Sequence, residues 1–497
     1  MSTSAAPAGP LSVPPPRPLL DTVFGRLWPE STAVGRPRHL LAALLTGVLA
    51  AVVVPFRDAG VGTFLVLMTV AGVVASVDRR RRTPYHLSAG VLCLLLVATA
   101  FVRDAEWIVV LCLMAAFAVG ASVLVDARSL AGVIAAAWAV PMAGLRGMPW
   151  LGRSLTASKS SKNWAPAART IGISVVLVLA FGLLFASADA LFATWADAVV
   201  PDITTDSLAL RGFVLLAFAG LALSGTYIAL NPPHVDRLAL PPGKPVARPF
   251  EWLVPVGGVV AVFVAFVVAQ LAVMFGGHDY LRRTTGLTYA DYVHQGFGQL
   301  TFATLLTLAV VAVAARKAPR TSVRDRVVLQ AVLGVLCLLT LVVVASALYR
   351  MHVYEEAYGF TELRLLVSVF EGWLGLVVVL VMAAGLRMNG WWLPRAALLT
   401  GATALLALAA LNPDGYIAEQ NVARYHDTGK LDTSYLAGLS ADAVPALTDL
   451  DPACLQDEPD VGRDDWLEWN LGRARARDAL AGQTPATGTG SCVVAPS

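Results

Sequence analysis

Runs of about 20 mostly apolar residues recur along nearly the whole chain, and a hydrocarbon core about 30 Å thick calls for that length per helix. Eleven runs are clear: His39 to Phe56, Gly60 to Val77, Tyr85 to Val102, Ala105 to Val125, Ile171 to Ser187, Leu208 to Leu230, Trp252 to Phe275, Leu300 to Ala315, Val327 to Leu348, Leu365 to Leu386 and Leu393 to Leu411. A twelfth, Ser129 to Leu145, is short and carries Pro141, so it reads as a full span, a re-entrant segment or an interfacial helix. The expected fold class is all-α: a polytopic transmembrane helix bundle of 11 spans, or 12 with the doubtful run, and a small extracytoplasmic α-helical C-terminal domain. With 57% apolar and 14% charged residues, the chain lies outside the soluble globular range of about 25% charged.

Three segments follow. Residues 1–38 are Pro-rich, carry Arg17, Arg26, Arg36 and Arg38, and lack the short apolar stretch of a secretory signal, so they read as a disordered cytoplasmic leader. Residues 39–411 form the transmembrane helical domain. Residues 412–497 form an acidic extracytoplasmic helical domain, with 14 acids against 6 bases.

Orientation comes from Lys and Arg, which favour cytoplasmic loops. Arg79 to Arg82, the stretch from Arg146 to Arg169 with five basic residues, and Arg316 to Arg326 fit the inside. The loop with Asp189, Asp197, Asp202 and Asp206 fits the outside. Three runs lie between the first two basic loops, and an odd number of crossings cannot keep both inside. The repair is that Ser129 to Leu145 does not cross, which puts the N-terminus in the cytoplasm and the C-terminus outside. The alternative of twelve spans with both ends inside would export the five-charge loop and retain the acidic ones.

Cys93, Cys112 and Cys337 fall in apolar runs and read as small buried residues. Cys454 and Cys492 stand alone in the polar tail and read as a disulfide of an oxidising compartment, the alternative being two free cytosolic thiols. In the tail, Asn412, Pro413 and Asp414 mark a helix start with a capping side chain, a proline at the first position and an acid at the positive end of the dipole. That helix should break near Gly429; a second start lies at Asp432, and a third helix is expected over Asp464 to Leu480 with Trp466, Trp469 and Leu471 as apolar contacts.

Costly polar groups concentrate between Tyr349 and Trp373, a stretch holding two arginines, four acids, a histidine and three tyrosines. Ionisable groups at or inside a bilayer usually serve a pathway, a site or a lock between helices. The candidate cluster is Arg350, His352, Tyr354, Glu355, Glu356, Tyr358, Glu362, Arg364 and Glu371. Arg364, Ser368, Glu371 and Gly375 share one helix face, which should point into the bundle. Glu371 then acts as a proton or cation relay or a headgroup ligand, or pairs with an arginine or hydroxyl of a neighbouring helix. Secondary candidates are Asp58, Asp189, Asp291 and His294. The histidines match no metal signature, so no metal and no cofactor is expected.

Two other function classes stay open. Lipid-carrier-dependent glycosyltransferases place a carboxylate in the first external loop, and here that loop is Arg57, Asp58 and Ala59, with Asp104 and Glu106 in the next. A transporter would show repeat symmetry and paired broken helices, and no duplicated half stands out. No nucleotide-binding or nucleophile-elbow motif occurs, and the basic loops are dispersed in a way that suits lipid headgroups rather than nucleic acid.

The strings FASADALF (Phe185 to Phe192), YADYVHQGFGQL (Tyr289 to Leu300), YRMHVYEEAYGFTELRL (Tyr349 to Leu365), and NPDGYIAEQNVARY with GKLDTSYLAGLSADAVPAL (Asn412 to Leu447) resemble bacterial multi-pass membrane proteins of domain of unknown function 4173. The 4153 group is a relative of that family. The resemblance spans about Ile171 to Asn470. It implies a multi-pass protein of the bacterial plasma membrane and carries over no activity or catalytic residue. The expected role is non-enzymatic sensing or scaffolding in the envelope, with the lipid bilayer, envelope proteins or a lipid-linked ligand as partners. Reporter fusions after residues 128, 160 and 440 check the orientation: cytoplasmic signals at the first two and an external signal at the third are expected.

Overall fold

A computed structural model describes residues 35–78, 83–159, 205–241, 243–285, 297–450 and 461–482, with parts of 23–30 and 170–189. Among the described residues all regular structure is helical. The apolar runs become α1 (Pro37–Val53), α2 (Val61–Val77), α3 (Pro84–Val102), α4 (Glu106–Val125), α5 (Leu130–Arg146), α6 (Met148–Lys159), α7 (Thr205–Leu230), α8 (Phe250–Thr285), α9 (Phe297–Lys317), α10 (Val323–Tyr358), α11 (Glu362–Leu386) and α12 (Leu393–Leu411). The tail adds α13 (Pro413–Thr428), α14 (Thr433–Ala437), α15 (Val444–Leu447) and α16 (Leu471–Ala481). Eight of the described helices, α3, α4 and α7 to α12, are long and apolar enough to cross a membrane, and α1 and α2 are shorter apolar helices. The expected span Ile171 to Ser187 falls mostly outside the described residues, as do Arg79 to Arg82, Asp291, His294, Cys454 and Cys492.

Several packing centres build the bundle, among them one around α4 and one around α10. Ile108, Cys112 and Val119 of α4 meet Leu92 and Leu96 of α3, Leu408 of α12 and Ile417 of α13. Leu336 and Cys337 of α10 meet Val378 of α11, Val311 of α9 and Val256 of α8. α10 runs 36 residues, well past the expected run, because nothing in YRMHVYEEAY breaks a helix. It stops at Gly359, whose φ of 85° is open to glycine at little cost.

The doubtful run is a helix whose two ends are both tied to the stretch 227–236. At its start, the Ser129 N–H and Oγ–H donate to Asp236 Oδ1 at 2.8 and 2.7 Å. At its end, Gly147 packs on the Tyr227 ring and Arg146 Nε donates to the Trp28 carbonyl at 3.0 Å. α5 and α6 meet at a 48° bend. The leader is anchored where it is described: Trp28 is buried, its Nε1–H donates to Asn231 O at 2.7 Å, and Glu30 pairs with Arg153.

The tail is clasped onto one end of the bundle, where residues 54–60, 103–105, 359–361 and 412 come together. Asp442 Oδ2 accepts the N–H groups of Asp104 and Ala105 at 2.6 and 3.1 Å, and Oδ1 faces Arg103 at 3.6 Å. Asn470, fully buried, donates to the carbonyls of Ala100 and Arg103 and caps α16 through the N–H of Gly472. The N–H of Gly62 donates to Leu467 O at 2.7 Å. At Gly60 a Cβ would lie 2.3 Å from Glu468 O, so only glycine admits the tail there.

Three details of the tail differ from expectation. Asn412 does not cap α13: it sits at φ 61° and its Nδ2 donates to Asp442 O at 3.2 Å, a left-handed position that asparagine tolerates. The last helix starts at Leu471 rather than Asp464, because Asp465 Oδ1 holds the N–H groups of Leu467 and Glu468 in a turn. Trp466 and Trp469 are therefore exposed, and Leu467 is the residue that packs inward.

Replacing Asn470 by Ala removes a cap worth about 0.5–2 kcal/mol and leaves buried carbonyls unpaired at about 1–3 kcal/mol. Limited proteolysis of the full chain should cut the tail about tenfold faster or more, since about 1.4 kcal/mol is a factor of ten.

Candidate functional site

Clasping the tail leaves a cleft of about 520 Å³ between it and the ends of α2, α3, α4 and α11. Three charged residues form its frame. Asp104 accepts from Arg473 Nη1 at 2.6 Å and from the Ala441 N–H at 3.1 Å. Asp414, only 1% exposed, accepts from Trp107 Nε1 at 3.0 Å and from Ser440 Oγ at 2.6 Å. Arg473 also pairs with Asp464 at 2.7 Å and donates to Glu468 O. Burial works against the Arg473 charge, but Asp464 and Asp104 outweigh it and keep the guanidinium protonated above its ordinary range.

Three further carboxylates line the cleft: Asp58 and Glu106, both exposed, and Glu362, half-buried. Among the described residues none of the three holds a hydrogen bond or ion pair through its side chain. Glu362 is positioned by its own N–H, which donates to Tyr435 Oη at 2.8 Å. The cleft thus presents open negative charge beside the Trp107 indole. Among the described residues no group of three or more His, Cys, Asp or Glu is gathered for a metal.

An apolar groove of about 530 Å³ adjoins the cleft. Val110 and Leu111 of α4 face Leu363 and Leu366 of α11 across it, and Glu106, Trp107 and Glu362 border both spaces. A molecule with a positive head and an apolar chain would meet matching surfaces in the two.

The polar stretch from Tyr349 to Trp373 does not converge on one site. Arg364 stacks over Tyr354 at 4.4 Å and donates to the carbonyls of Tyr358 and Gly359, closing the end of α10. Arg350 donates to Gln270 Oε1 of α8 at 2.8 Å. His352 and Glu356 pair on the surface at 3.2 Å. Glu355 is buried, with no partner for Oε1 among the described residues, and Tyr358 is exposed beside Tyr354. The backbone here latches the tail: Arg424 donates to Glu356 O and Ala357 O, and Asn421 exchanges two bonds of 2.9 Å with Phe360. Only Glu362 of this stretch reaches the cleft. Glu371 lies in the bundle against Thr304 of α9. Asp189 is exposed and does not line the cleft.

Trp107, Ser440 and Arg473 are cleft residues that no local pattern singles out. Their signal is topological, since all lie in segments that the charge pattern assigns to one face.

The family model described as Domain of unknown function (DUF4153) matches residues 90–450, and the chain belongs to that family. The match begins well before Ile171, where the resemblance was expected to begin, and it falls on the 4153 group rather than 4173. No curated protein matches the chain. No solved structure matches it.

Asp465 ties the tail to the loop after α1 through Arg57 at 3.0 Å. Burial raises its carboxyl, but the N–H groups of Glu468 and Leu467 and the Arg57 guanidinium outweigh this and hold it below the usual range. Its contribution to stability is therefore complete above the ordinary aspartate value and is lost as pH falls through the lowered one. Between about pH 5 and about pH 2 the wild type should lose more thermal stability than an Asp465→Asn variant does.

Proposed function

We propose that this family member is a protein of the bacterial plasma membrane that acts through its outer face, as an envelope sensor whose ligand sits in the acidic cleft. The N-terminus is cytoplasmic and the clasped tail external. The tying of both ends of α5 to one stretch supports the reading that Ser129 to Leu145 does not cross.

The observation that carries this reading is the pairing of an open acidic cleft with an apolar groove that shares Glu106, Trp107 and Glu362. Frame and opening are separate. Asp104, Asp414 and Arg473 are consumed in holding the tail, whereas the Asp58, Glu106 and Glu362 carboxyls have no side-chain partner among the described residues. Such a surface selects a positively charged head group on a membrane-borne chain, and a lipid-linked ligand meets that description.

A second reading has one specific support: the carboxylates of the first two external loops, Asp58, Asp104 and Glu106, do share the cleft. That is the placement a lipid-carrier-dependent transferase uses to activate an acceptor. The involvement of Asp104 in the Arg473 pair leaves Asp58 and Glu106 as the residues for that role.

Thermal melting of the full chain in detergent micelles tests the charge selectivity. Dodecylamine should raise the melting temperature saturably, while dodecanol and dodecyl phosphate should not. The double change Asp58→Asn with Glu106→Gln should weaken the amine effect by about tenfold in concentration, since each charge pair is worth about 0.2–1 kcal/mol at an exposed site. Equal stabilisation by dodecyl phosphate would remove the basis for the reading.

A further inference from the structure

Glu371 is fully buried and plays no part in the cleft. It lies nine residues into α11, about 13 Å below the helix start at 1.5 Å per residue. Oε2 has no hydrogen-bond partner among the described residues. Oε1 faces Thr304 Oγ of α9 at 3.5 Å, the outer limit of a hydrogen bond, and Thr301, one turn earlier on α9, also bonds the carboxyl.

The Thr304 hydroxyl has one proton to give. Its shorter bond runs back to Leu300 O at 3.1 Å, as buried threonines in helices commonly arrange. When the proton is spent there, the Thr304 lone pairs face the carboxyl oxygens, and the Thr301 hydroxyl is the donor left to them among the described residues. A buried carboxyl in that position needs a proton or a cation.

The charged groups on every helix packed against Glu371 are engaged elsewhere or lie far along the helix. Arg350 of α10 is held by Gln270, Arg395 of α12 by Asp126 at 2.5 Å, and Arg364 on α11 itself by the end of α10. Glu355 and His352 of α10 and Glu362 of α11 lie at the tail end, and Arg316 and Lys317 of α9 at the opposite end.

An apolar cavity of about 290 Å³ opens beside Arg320 and Asn389, at the end away from the tail, and reaches Leu308 and Cys337. Leu308 is one helical turn from Thr304 on α9. We propose that Glu371, with the hydroxyl oxygens of Thr301 and Thr304, forms a monovalent-cation site inside the bundle, filled by a proton or a sodium ion and reached from the end opposite the tail. All donors are hard oxygens, and one carboxylate balances one positive charge.

Dicyclohexylcarbodiimide adds only to a protonated carboxyl and enters apolar regions, so it reports exchange at such a site. The full chain in detergent micelles should be labelled at Glu371, located by peptide mass spectrometry and absent in Glu371→Gln. If a proton fills the site, labelling slows about tenfold per pH unit once the site empties, and sodium chloride has no more effect than choline chloride. If sodium fills it, sodium chloride slows labelling severalfold at fixed pH and choline chloride does not. Thr304→Val and Thr301→Val should shift the pH midpoint or abolish the sodium protection, a readout that stays available even where Glu371→Gln fails to fold. Absence of labelling between about pH 5 and about pH 9, or labelling indifferent to both pH and sodium, overturns the site in favour of a closed structural carboxyl. Valine variants that titrate as the wild type does would overturn the part assigned to the hydroxyls.

Discussion

The turn between α3 and α4 is the point on which the tail end of the bundle depends. Its N–H groups at Asp104 and Ala105 are taken by Asp442, and its carbonyl at Arg103 by Asn470. Neither helix can satisfy these groups, because each helix leaves its terminal donors and acceptors open. Near a bilayer such groups cannot be left dry. Asp442 is 3% exposed, and burial pushes its carboxyl above the ordinary range against the pull of the two N–H groups and Arg103. Burial likewise lowers the Arg103 guanidinium. A pair placed under this cost contributes little net stability, but removing one partner strands the other, which costs about 3–5 kcal/mol. The device specifies where the tail sits more than it holds it there.

From this contact the cleft follows. Seating Asp442 brings Ser440 against Asp414, and Asp414 in turn fixes Trp107. Seating Asn470 starts α16, which carries Arg473 to Asp104. The floor and walls of the cleft are thus by-products of satisfying backbone groups at helix ends. The carboxylates left over, Asp58, Glu106 and Glu362, are the part that backbone satisfaction does not explain.

How far the sequence reveals this depends on the kind of order involved. The apolar runs were legible because lipid imposes one length and one composition, and each expected run among the described residues falls on a helix, with α8 and α10 continuing about ten residues beyond theirs. α13, its end at Gly429 and the start at Asp432 were legible from local turn chemistry. The cap at Asn412 was not, because Asp442, thirty residues on, offers the side chain a better partner. Glu371 was legible as a buried acid, and a hydroxyl partner on a neighbouring helix was one of the two readings open to it. The cleft was hidden because Asp58, Asp104, Glu362, Asp414 and Arg473 come from five distant segments, and no spacing along the chain joins them. The polarity of Tyr349 to Trp373 drew notice for a different reason: most of it ends α10 and latches the tail.

The missing Cβ at Gly60 lets Glu468 approach the loop between α1 and α2, some four hundred residues earlier in the chain. The segment that completes this loop is made after all the described apolar helices of the bundle. Until then the loops at 57–60 and 103–105 keep open backbone groups, and the cleft does not exist. Assembly is therefore ordered in time: contacts with so large a sequence separation close late, after the helices have found their neighbours. An unfinished chain and a finished one therefore differ at the end of the bundle that the tail covers.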